Sequence, residues 1–330
     1  MFIMGDESKG EEVLALRPMT CPFQYTVYNN GLKSYRDLPI RYGETSTLFR
    51  NEASGEMHGL IRVRQFTLSE GHLICMPSQL ETEFRGCLDL AMFMLRSLGL
   101  DGDVTYRFSK WDPNNKEKFI DDPKEWAYAE GEMKRILDHI GLEYTEGIGE
   151  AAFYGPKLDI QIKNVHGKED TLITIQIDMF LAERFDMSYI DENGNKARPY
   201  IIHRSSIGCY ERTMALILEK YAGALPVWLS PTQVRVLSLT DRTADKVKEI
   251  TDKLNAAGLR AESDLRNEKI GYKIREAQLE KIPYMLIVGD KDVENGVVSV
   301  RSRDKGDLGA MTYADFFAKI KYENDEKVLK

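Results

Sequence analysis

The chain has 330 residues, of which 42% are hydrophobic and 30% are charged, and its formal net charge is −8. This length predicts two domains, and the acidic balance excludes a uniformly basic nucleic-acid-binding protein. No apolar run approaches the roughly 18 residues of a membrane helix, and the start lacks the basic and apolar regions of a secretory signal. Four cysteines without a CxxC pair favour a reduced, cytoplasmic setting over a disulfide framework.

Two β segments, residues 47–52 and 60–72, follow a loop and a short strand in the first 20 residues. Side chains alternate along a strand, so one face of the second segment would carry Arg62, Arg64, Phe66, Leu68, Glu70 and His72. Arg50 and Glu52 share a face of the first segment. Such a surface suits a bound polyanion with a flat base and a metal beside it. Exposed arginines on an ordinary antiparallel sheet are the alternative.

The rest of the first part alternates between helical and strand patterns. The predicted elements are, in order, a helix over 78–98, a helix from Asp122 to Gly141, strands at 158–162 and 171–178, a hairpin turn at 191–194, and a helix from Ser205 to Tyr221.

The character of the chain changes near residue 226. Residues 226–330 hold 19 lysines and arginines against 18 aspartates and glutamates, so the acidic excess lies in residues 1–225. The later pattern predicts strands at 234–239, 259–262, 284–288 and 297–303, helices at 241–257, 269–281 and 313–321, and a frayed end from 322. These elements indicate a small α/β domain.

Few of the candidate functional residues are distinctive alone. Cys21, His72 and His203 are far apart, which is a weak signal for zinc compared with short paired spacings. A buried thiol and hydrogen-bonded histidines are the alternative. Arg212, just after a glycine at a helix start, suits a phosphate or belongs to a surface Glu-Arg pair. Tyr154, Lys157 and Gln176 are equally consistent with a solvated surface.

The same residues lie in motifs that resemble a known family. Residues 49–52 with Arg62 and Phe66 resemble motif 2 of the class II aminoacyl-tRNA synthetases, and residues 208–212 resemble their motif 3. Segments that more narrowly resemble the threonyl-tRNA synthetases are 17–22, 34–39, 55–66, 152–157, 175–178 and 200–204. The resemblance implies an α+β catalytic domain over 1–225, with an antiparallel sheet flanked by helices. It implies an α/β anticodon-binding domain over 226–330.

Site roles follow from the resemblance position by position. For ATP it implies Arg50 at the α-phosphate and threonine carboxylate, Arg212 at the γ-phosphate, Phe66 stacked on adenine, Glu52 near its amino group, and Arg62 and Gln176 near the phosphates. It places Glu70, Tyr154, Lys157 and Arg50 at L-threonine, with Arg50, Arg212, Gln176 and Lys157 as the catalytic set. For tRNA(Thr) it implies anticodon contacts from Asn267, Lys269, Arg275 and Arg301.

The resemblance also implies two metal ions. Cys21, His72 and His203 would bind one Zn²⁺ with an open position, and Mg²⁺ would accompany ATP. An apolar pocket separates threonine from valine by only ~10²-fold, whereas a site built to bind the hydroxyl rejects its absence far more strongly. The resemblance thus predicts threonyl-adenylate formation and transfer to tRNA(Thr), with zinc selecting threonine over valine.

The sequence departs from the family pattern in several places. Leu68 stands where glutamine is common, Glu70 where aspartate is common, Phe23 and Gln24 where Gly-His is usual, and Ala182 where proline is usual. Motif 1, which builds the homodimer of the full-length family, and the N-terminal editing module have no counterpart. We therefore expect a piece of a longer protein or a naturally short form, whose dimerisation and activity alone stay open. A non-catalytic tRNA-binding or regulatory relative is the alternative function, and charging of a small acceptor other than tRNA is a second.

Overall fold

The computed structural model describes residues 1–329, which form two compact units. The first is Met1–Leu216 and the second begins at Ile217. The functional boundary predicted at residues 225–226 stays a prediction, because compactness alone divides the chain slightly earlier. Among the described residues no helix is long and apolar enough to cross a membrane.

The first unit is built on a large mixed sheet. The strands of this unit are β1 (Ile3–Met4), β2 (Leu14–Ala15), β3 (Ile40–Phe49), β4 (Gln65–Cys75), β5 (Val104–Lys110), β6 (Thr145–Ile148), β7 (Lys157–Lys163), β8 (Glu169–Asp178), β9 (Tyr189–Ile190), β10 (Lys196–Ala197) and β11 (Tyr200–Cys209). Its helices are α1 (Cys21–Tyr28), α2 (Leu80–Leu98), α3 (Pro123–Ile140), α4 (Leu181–Arg184) and the start of α5 (Tyr210–Lys220). Seven strands form the main sheet in the order β3-β4-β11-β8-β7-β5-β6. Only the β5–β6 pairing in it is parallel.

Helices α2 and α3 form as the sequence predicts. Helix α2 packs on β4, β8 and β11 through a buried stripe that includes Leu80, Phe84, Leu88 and Leu95. Asp122 caps α3 by accepting from the Glu125 backbone N–H at 3.2 Å. Both helices end at a glycine with positive φ, which satisfies their last carbonyl groups.

Three local predictions in this unit are wrong. The second β segment begins at Gln65, so residues 60–64 lie in the preceding loop and Arg62 and Arg64 do not share the strand face of Phe66. The first segment runs over Ile40–Phe49 and stops before Arg50. Residues 205–209 continue β11 instead of starting a helix, because this segment pairs with β4.

Helix α1 was missed altogether. Its eight residues are few, and Thr26, Val27 and two tyrosines are weak helix formers. Tertiary packing stabilises it instead: Tyr25 and Tyr28 are fully buried in a cluster with Leu38, Ile74 and Ile201. The helix therefore depends on the sheet that it covers.

The second unit is an α/β domain with a five-stranded sheet in the order β13-β12-β14-β15-β16. Its strands are β12 (Val234–Ser238), β13 (Ala261–Asp264), β14 (Tyr284–Val288), β15 (Val297–Ser302) and β16 (Gly306–Thr312). Its further helices are α6 (Ala244–Ala256), α7 (Ile270–Leu279), α8 (Asp290–Asn295) and α9 (Tyr313–Asp325). Strand β12 pairs in parallel with β13 and β14, and the other two pairings are antiparallel.

The sequence predicted most of this order and missed α8 and β16. Helix α6 begins after a 3-10 turn at Asp241–Thr243, so Thr243 and not Asp241 precedes its first residue. Helix α9 continues to Asp325, beyond the predicted end at residue 321. Phe316 and Ile320 of that helix lie in the core, which holds the helix against the sheet.

We expect Gly208→Ala to lower the free energy of unfolding by roughly 2–3 kcal/mol. Gly208 has φ +74° in the irregular end of β11, and an added Cβ would lie 2.1 Å from the Leu172 carbonyl oxygen. Thermal and denaturant unfolding measure the change. Gly86→Ala in α2 is the control, since its Cβ meets nothing within 4 Å, and it should be neutral or stabilising. Equal effects of the two substitutions would contradict the assigned strain.

Candidate functional site

One cavity of about 450 Å³ collects most of the predicted site residues of the first unit. The predicted residues that line it are Cys21, Arg50, Glu52, Arg62, Phe66, Glu70, His72, Tyr154, Gln176, His203 and Arg212. Lys157 is not among its lining residues, because its Nζ is held by the buried Asp159 carboxylate at 2.8 Å. Strands β4, β8 and β11 supply the floor, and the loops before β4 and β7 supply the rim.

Cys21, His72 and His203 converge at one end of the cavity. His72 on β4 lies directly opposite His203 on β11, and their rings meet edge to face with centroids 4.7 Å apart. Cys21, the first residue of α1, completes a buried group whose ligand atoms all lie within 4.8 Å of one another. Tetrahedral Zn²⁺ with bonds of about 2.0–2.3 Å holds its ligands about 3.3–3.8 Å apart, so small side-chain rotations would close this group on one ion.

Each imidazole is held from behind by a buried acceptor. His72 Nδ1 donates to Gln24 Oε1 at 2.7 Å, and His203 Nε2 donates to Asp178 Oδ2 at 2.8 Å. The other oxygen of Asp178 accepts from the backbone N–H groups of Phe180 and Leu181. These bonds leave Nε2 of His72 and Nδ1 of His203 free for a cation, which is the arrangement that metal-binding histidines require.

The protonation of the group also suits a metal. Burial, with His203 and Arg204 nearby, holds the pKa of His72 well below its usual value, so the ring is neutral as a ligand must be. Burial raises the pKa of the Cys21 thiol to about 12, with the Glu70 carboxylate adding to the shift. A divalent cation would offset that penalty by stabilising the thiolate. The residues present therefore fit a three-ligand zinc site.

Next to this cluster the cavity contains an unsatisfied acceptor and an anchored aromatic ring. Glu70 Oε2 is buried and has no hydrogen-bond partner among the described residues. Tyr154 stacks on His203 with ring centroids 4.7 Å apart, and its hydroxyl donates to Gln176 Oε1. A small ligand with a hydroxyl or ammonium group would satisfy the Glu70 oxygen, because leaving such an atom unpaired costs about 1–3 kcal/mol.

The other end of the cavity is cationic and aromatic. The Arg50 guanidinium lies over the Phe66 ring, 5.0 Å from its centroid. Arg62 pairs with Glu52 at 2.7 Å, and this contact lowers the pKa of the Glu52 carboxyl. Arg212 donates to the Thr171 carbonyl at 2.6 Å, so its position is fixed from behind. Guanidinium groups arranged around an aromatic ring can bind phosphates beside a flat base.

Sequence reasoning missed several residues of the cavity wall. They include Met19, Phe153, Thr171, Leu172 and Ser205. Ser205 was missed because it was assigned to a helix, whereas it shares the strand face of His203. Side chains alternate between the two faces of β8, so Thr174 shares the face of Gln176 two residues later. Thr174 also lines the cavity and could have been predicted from this alternation. Phe153 has no periodic signal.

A second cavity, of about 470 Å³, lies in the second unit at the carboxyl ends of β12 and β13. Asn267 lines it, but the predicted residues Lys269, Arg275 and Arg301 do not. The Nε atom of Arg301 on β15 is buried without a partner among the described residues. Lys273 was not predicted as a site residue. It is fully buried and donates to carbonyl oxygens at the ends of β12 and β13, and so it shapes the cavity floor.

Comparison with known proteins identifies the class of fold and site. A family model described as the tRNA synthetase class II core domain (G, H, P, S and T) matches residues 3–221, and one described as an anticodon binding domain matches residues 233–323. The sheet and its cavity are thus those of a class II aminoacyl-tRNA synthetase core.

Relatives narrow the class. A threonine–tRNA ligase from Clostridium perfringens is 63% identical over 98% of this chain, and one from Oceanobacillus iheyensis is 44% identical over 97%. A crystal structure described as the RNA binding domain of threonyl-tRNA synthetase from Cryptosporidium parvum superposes with a TM-score of 0.89 at 34% identity, covering 97% of this chain and 79% of that one. The chain belongs to the threonyl-tRNA synthetase family, which confirms the predicted family and fold class. It spans about half the length of the curated relatives.

We expect Glu211→Ala to lower the free energy of unfolding by about 1–2 kcal/mol. Both carboxylate oxygens of Glu211 accept from the Thr67 backbone N–H, at 3.0 and 2.9 Å, and so tie the start of α5 to β4. Glu211→Gln keeps one acceptor and should lose less than half as much. Exposed Glu219 on the same helix is the control for Glu→Ala. Denaturant unfolding of Glu211→Ala, Glu211→Gln and Glu219→Ala measures the change in the free energy of unfolding. An equal loss for Glu211→Ala and Glu219→Ala would contradict the stabilising role of this hydrogen bond.

Proposed function

We propose that the chain is the catalytic and anticodon-binding part of a threonine–tRNA ligase. It would activate L-threonine with ATP to threonyl-adenylate and then transfer the threonyl group to tRNA(Thr). The observation that carries this proposal is that one cavity joins the cluster of Cys21, His72 and His203 to a pair of arginines, Arg50 and Arg212. The names of the relatives support the same reaction.

In the activation step a threonine carboxylate oxygen attacks the α-phosphorus of ATP, and pyrophosphate leaves. Two anions must approach, so the chain's main contribution is fixed positive charge and orientation. Arg50 would lie between the carboxylate and the α-phosphate, and Arg212 at the γ-phosphate end of a bent ATP that brings its own Mg²⁺. Arg62 and Gln176 would assist at the phosphates. No side chain needs to act as nucleophile or base.

The adenine would stack on Phe66, with Glu52 near its amino group. The Arg50 guanidinium lies over one face of the Phe66 ring, and this contact supports a role of that face in stacking against a flat group. The Glu52 carboxylate is ionised beside Arg62 and can accept a hydrogen bond from an exocyclic amine. These contacts would orient the base and aim the phosphates toward Arg212.

The amino acid would be selected at the other end of the cavity. Bound Zn²⁺ would supply an open position for the amino and hydroxyl groups of threonine, held by Cys21, His72 and His203. Glu70 would accept a hydrogen bond from the hydroxyl, and valine would leave that buried carboxylate oxygen unpaired. Tyr154 would form the wall beside the substrate, and Lys157 would act through Asp159, next to that wall.

Transfer requires recognition of tRNA(Thr). We assign residues 1–225 to catalysis and residues 226–330 to the anticodon, with contacts from Asn267, Lys269, Arg275 and Arg301. Lys269, Arg275 and Asn267 are exposed near α7. The Nε–H of Arg301, which has no partner among the described residues, supports a role in donating a hydrogen bond to an external oxygen or base. The full-length family's homodimer and a cytoplasmic location are part of this proposal, and the four free cysteines suit the latter.

Metal analysis and pyrophosphate exchange test the activation step on this chain. We expect one Zn²⁺ per chain and threonine-dependent ATP–pyrophosphate exchange, with kcat/KM for valine at least ~10³-fold lower than for threonine. Serine, which keeps the hydroxyl, should be rejected less strongly. Arg212→Ala should reduce exchange at least ~10²-fold while leaving bound zinc unchanged.

Cys21→Ala tests the metal directly, because it removes the thiolate ligand. The variant should lose both bound zinc and threonine activation. Cys87 is also buried but lies on α2, so Cys87→Ala is the control and should keep both. A chain that activates valine as well as threonine, or that exchanges normally without metal, would overturn the proposed selection.

Asn267→Ala tests the assignment of the second unit. We expect kcat/KM for tRNA(Thr) charging to fall roughly tenfold, because one contact to a loop base is lost. Threonine-dependent exchange should stay unchanged, since that step does not use tRNA. Exposed Asn295→Ala, at the end of α8, is the control and should leave charging intact. Normal charging by Asn267→Ala would remove this residue from the anticodon site.

A further inference from the structure

Gln24 occupies a position that the proposed reaction does not explain. It is 6% exposed, it lies one turn after Cys21 on α1, and its Oε1 is 2.7 Å from Nδ1 of His72. Residues three apart on a helix share a face, so α1 presents the Cys21 thiol and the Gln24 amide to the same end of the cavity. One short helix thus provides a candidate ligand and the group that holds a second one.

We propose that Gln24 is a positioning residue that fixes the tautomer and orientation of His72 for the metal. This inference rests on the proposed zinc site. A carbonyl oxygen only accepts hydrogen bonds, so the proton of His72 must lie on Nδ1 and the lone pair on Nε2. Without this acceptor either nitrogen could carry the proton, and the ring could rotate between its neighbours. Loss of such an outer contact typically weakens metal binding ~10–100-fold.

The two histidines are held by groups of different charge. Asp178 behind His203 is a carboxylate fixed by two backbone N–H groups, whereas Gln24 behind His72 is neutral. The cavity already holds the half-buried Glu70 side chain, whose buried Oε2 has no hydrogen-bond partner among the described residues. A neutral amide at Gln24 orients His72 without adding another buried negative charge, which would need a compensating partner. The role of Gln24 is therefore geometric.

The neighbouring rings restrict what can replace this bond. Tyr25 lies edge-on to His72 with centroids 6.2 Å apart, and it contacts His203 as well. Its hydroxyl lies 3.3 Å from Nε2 of His203, so it is not available to His72. Among the described side chains, Gln24 is the one that hydrogen-bonds His72. Removing its oxygen should leave the Nδ1–H group unsatisfied in a buried place.

The test is metal affinity, measured by competition with a chromophoric Zn²⁺ chelator, together with the absorption spectrum of the Co²⁺-substituted protein. Gln24→Met keeps the length and removes the acceptor, and we expect Zn²⁺ affinity to fall ~10–100-fold. Gln24→Glu restores an acceptor and should bind within a few-fold of the unsubstituted chain. Gln24→Asn keeps the amide but is one methylene short, so it should behave like Gln24→Met. Thermal melting without metal separates these effects from a loss of folding.

Val27→Ala on the exposed face of α1 is the matched control and should leave zinc affinity and the Co²⁺ spectrum unchanged. Gln24→Met with unaltered affinity and spectrum would overturn the role of Gln24 while the zinc site stands. Should the unsubstituted chain bind no stoichiometric metal, the zinc site fails and this inference fails with it. If Gln24→Met does not fold, the comparison of Gln24→Glu with Gln24→Asn decides, and equal affinity of those two variants would refute the proposal.

Discussion

The antiparallel register of β4 against β11 is the constraint on which the site depends. It sets His72 directly opposite His203, and it sets Glu70 opposite Ser205 on the same face. A slip of either strand by one residue would turn that strand's two side chains away from the cavity. Gly71 supports this register from the other face, because an added Cβ would lie 2.6 Å from the Arg204 guanidinium. Strand pairing therefore positions two of the three candidate metal ligands, and the packing of α1 supplies the third, Cys21.

Around that pairing the chain buries polar side chains at the end of the cavity, among them Cys21, His72 and His203. His72 is neutral because burial lowers its pKa, and Oε2 of Glu70 has no hydrogen-bond partner among the described residues. Such groups lower stability unless a ligand satisfies them. The apolar cluster beneath α1, in which Tyr25 and Tyr28 are fully buried, supplies compensating burial directly beside these groups, because Cys21 belongs to the same cluster. One short helix thus contributes both to the apolar core and to the candidate metal cluster.

The sequence predicts best where a single period persists. Helices α2 and α3 carry long apolar stripes with clear ends, and they appear where predicted. Helix α1 does not, because eight residues with β-branched and aromatic side chains are helical only through contacts that are distant in sequence. Ser205 resembles a helix cap in isolation, yet strand pairing overrides that local preference. Some of the family motifs lie in regions where the periodicity is ambiguous. There the fold was predicted from the family resemblance and not from the local pattern.

Site prediction had a different limit. Cys21, His72 and His203 come from three elements that are far apart in the chain, so no spacing rule could unite them, and the resemblance alone did so. The hydrogen-bond acceptors of the two histidines, Gln24 and Asp178, could not be predicted for the same reason. A hydrogen bond between Gln24 and His72 depends on how a helix packs over a sheet, and neither residue type signals it alone. Lys157 shows the converse, since its motif was recognised while a buried carboxylate holds its ammonium away from the cavity.

Three of the five departures from the family pattern lie close together. Leu68 and Glu70 lie on β4 and line the cavity, and Gln24 on α1 contacts the next strand residue on that face, His72. The facing wall keeps the expected Gln176 and His203. Several substitutions in the same cavity wall can together preserve the hydrogen bonds of that wall, even though each one changes a side chain. Gln24 illustrates this compensation, because it replaces the usual histidine with another group able to accept from His72. The wall has been altered in composition while the acceptor that the imidazole requires is retained.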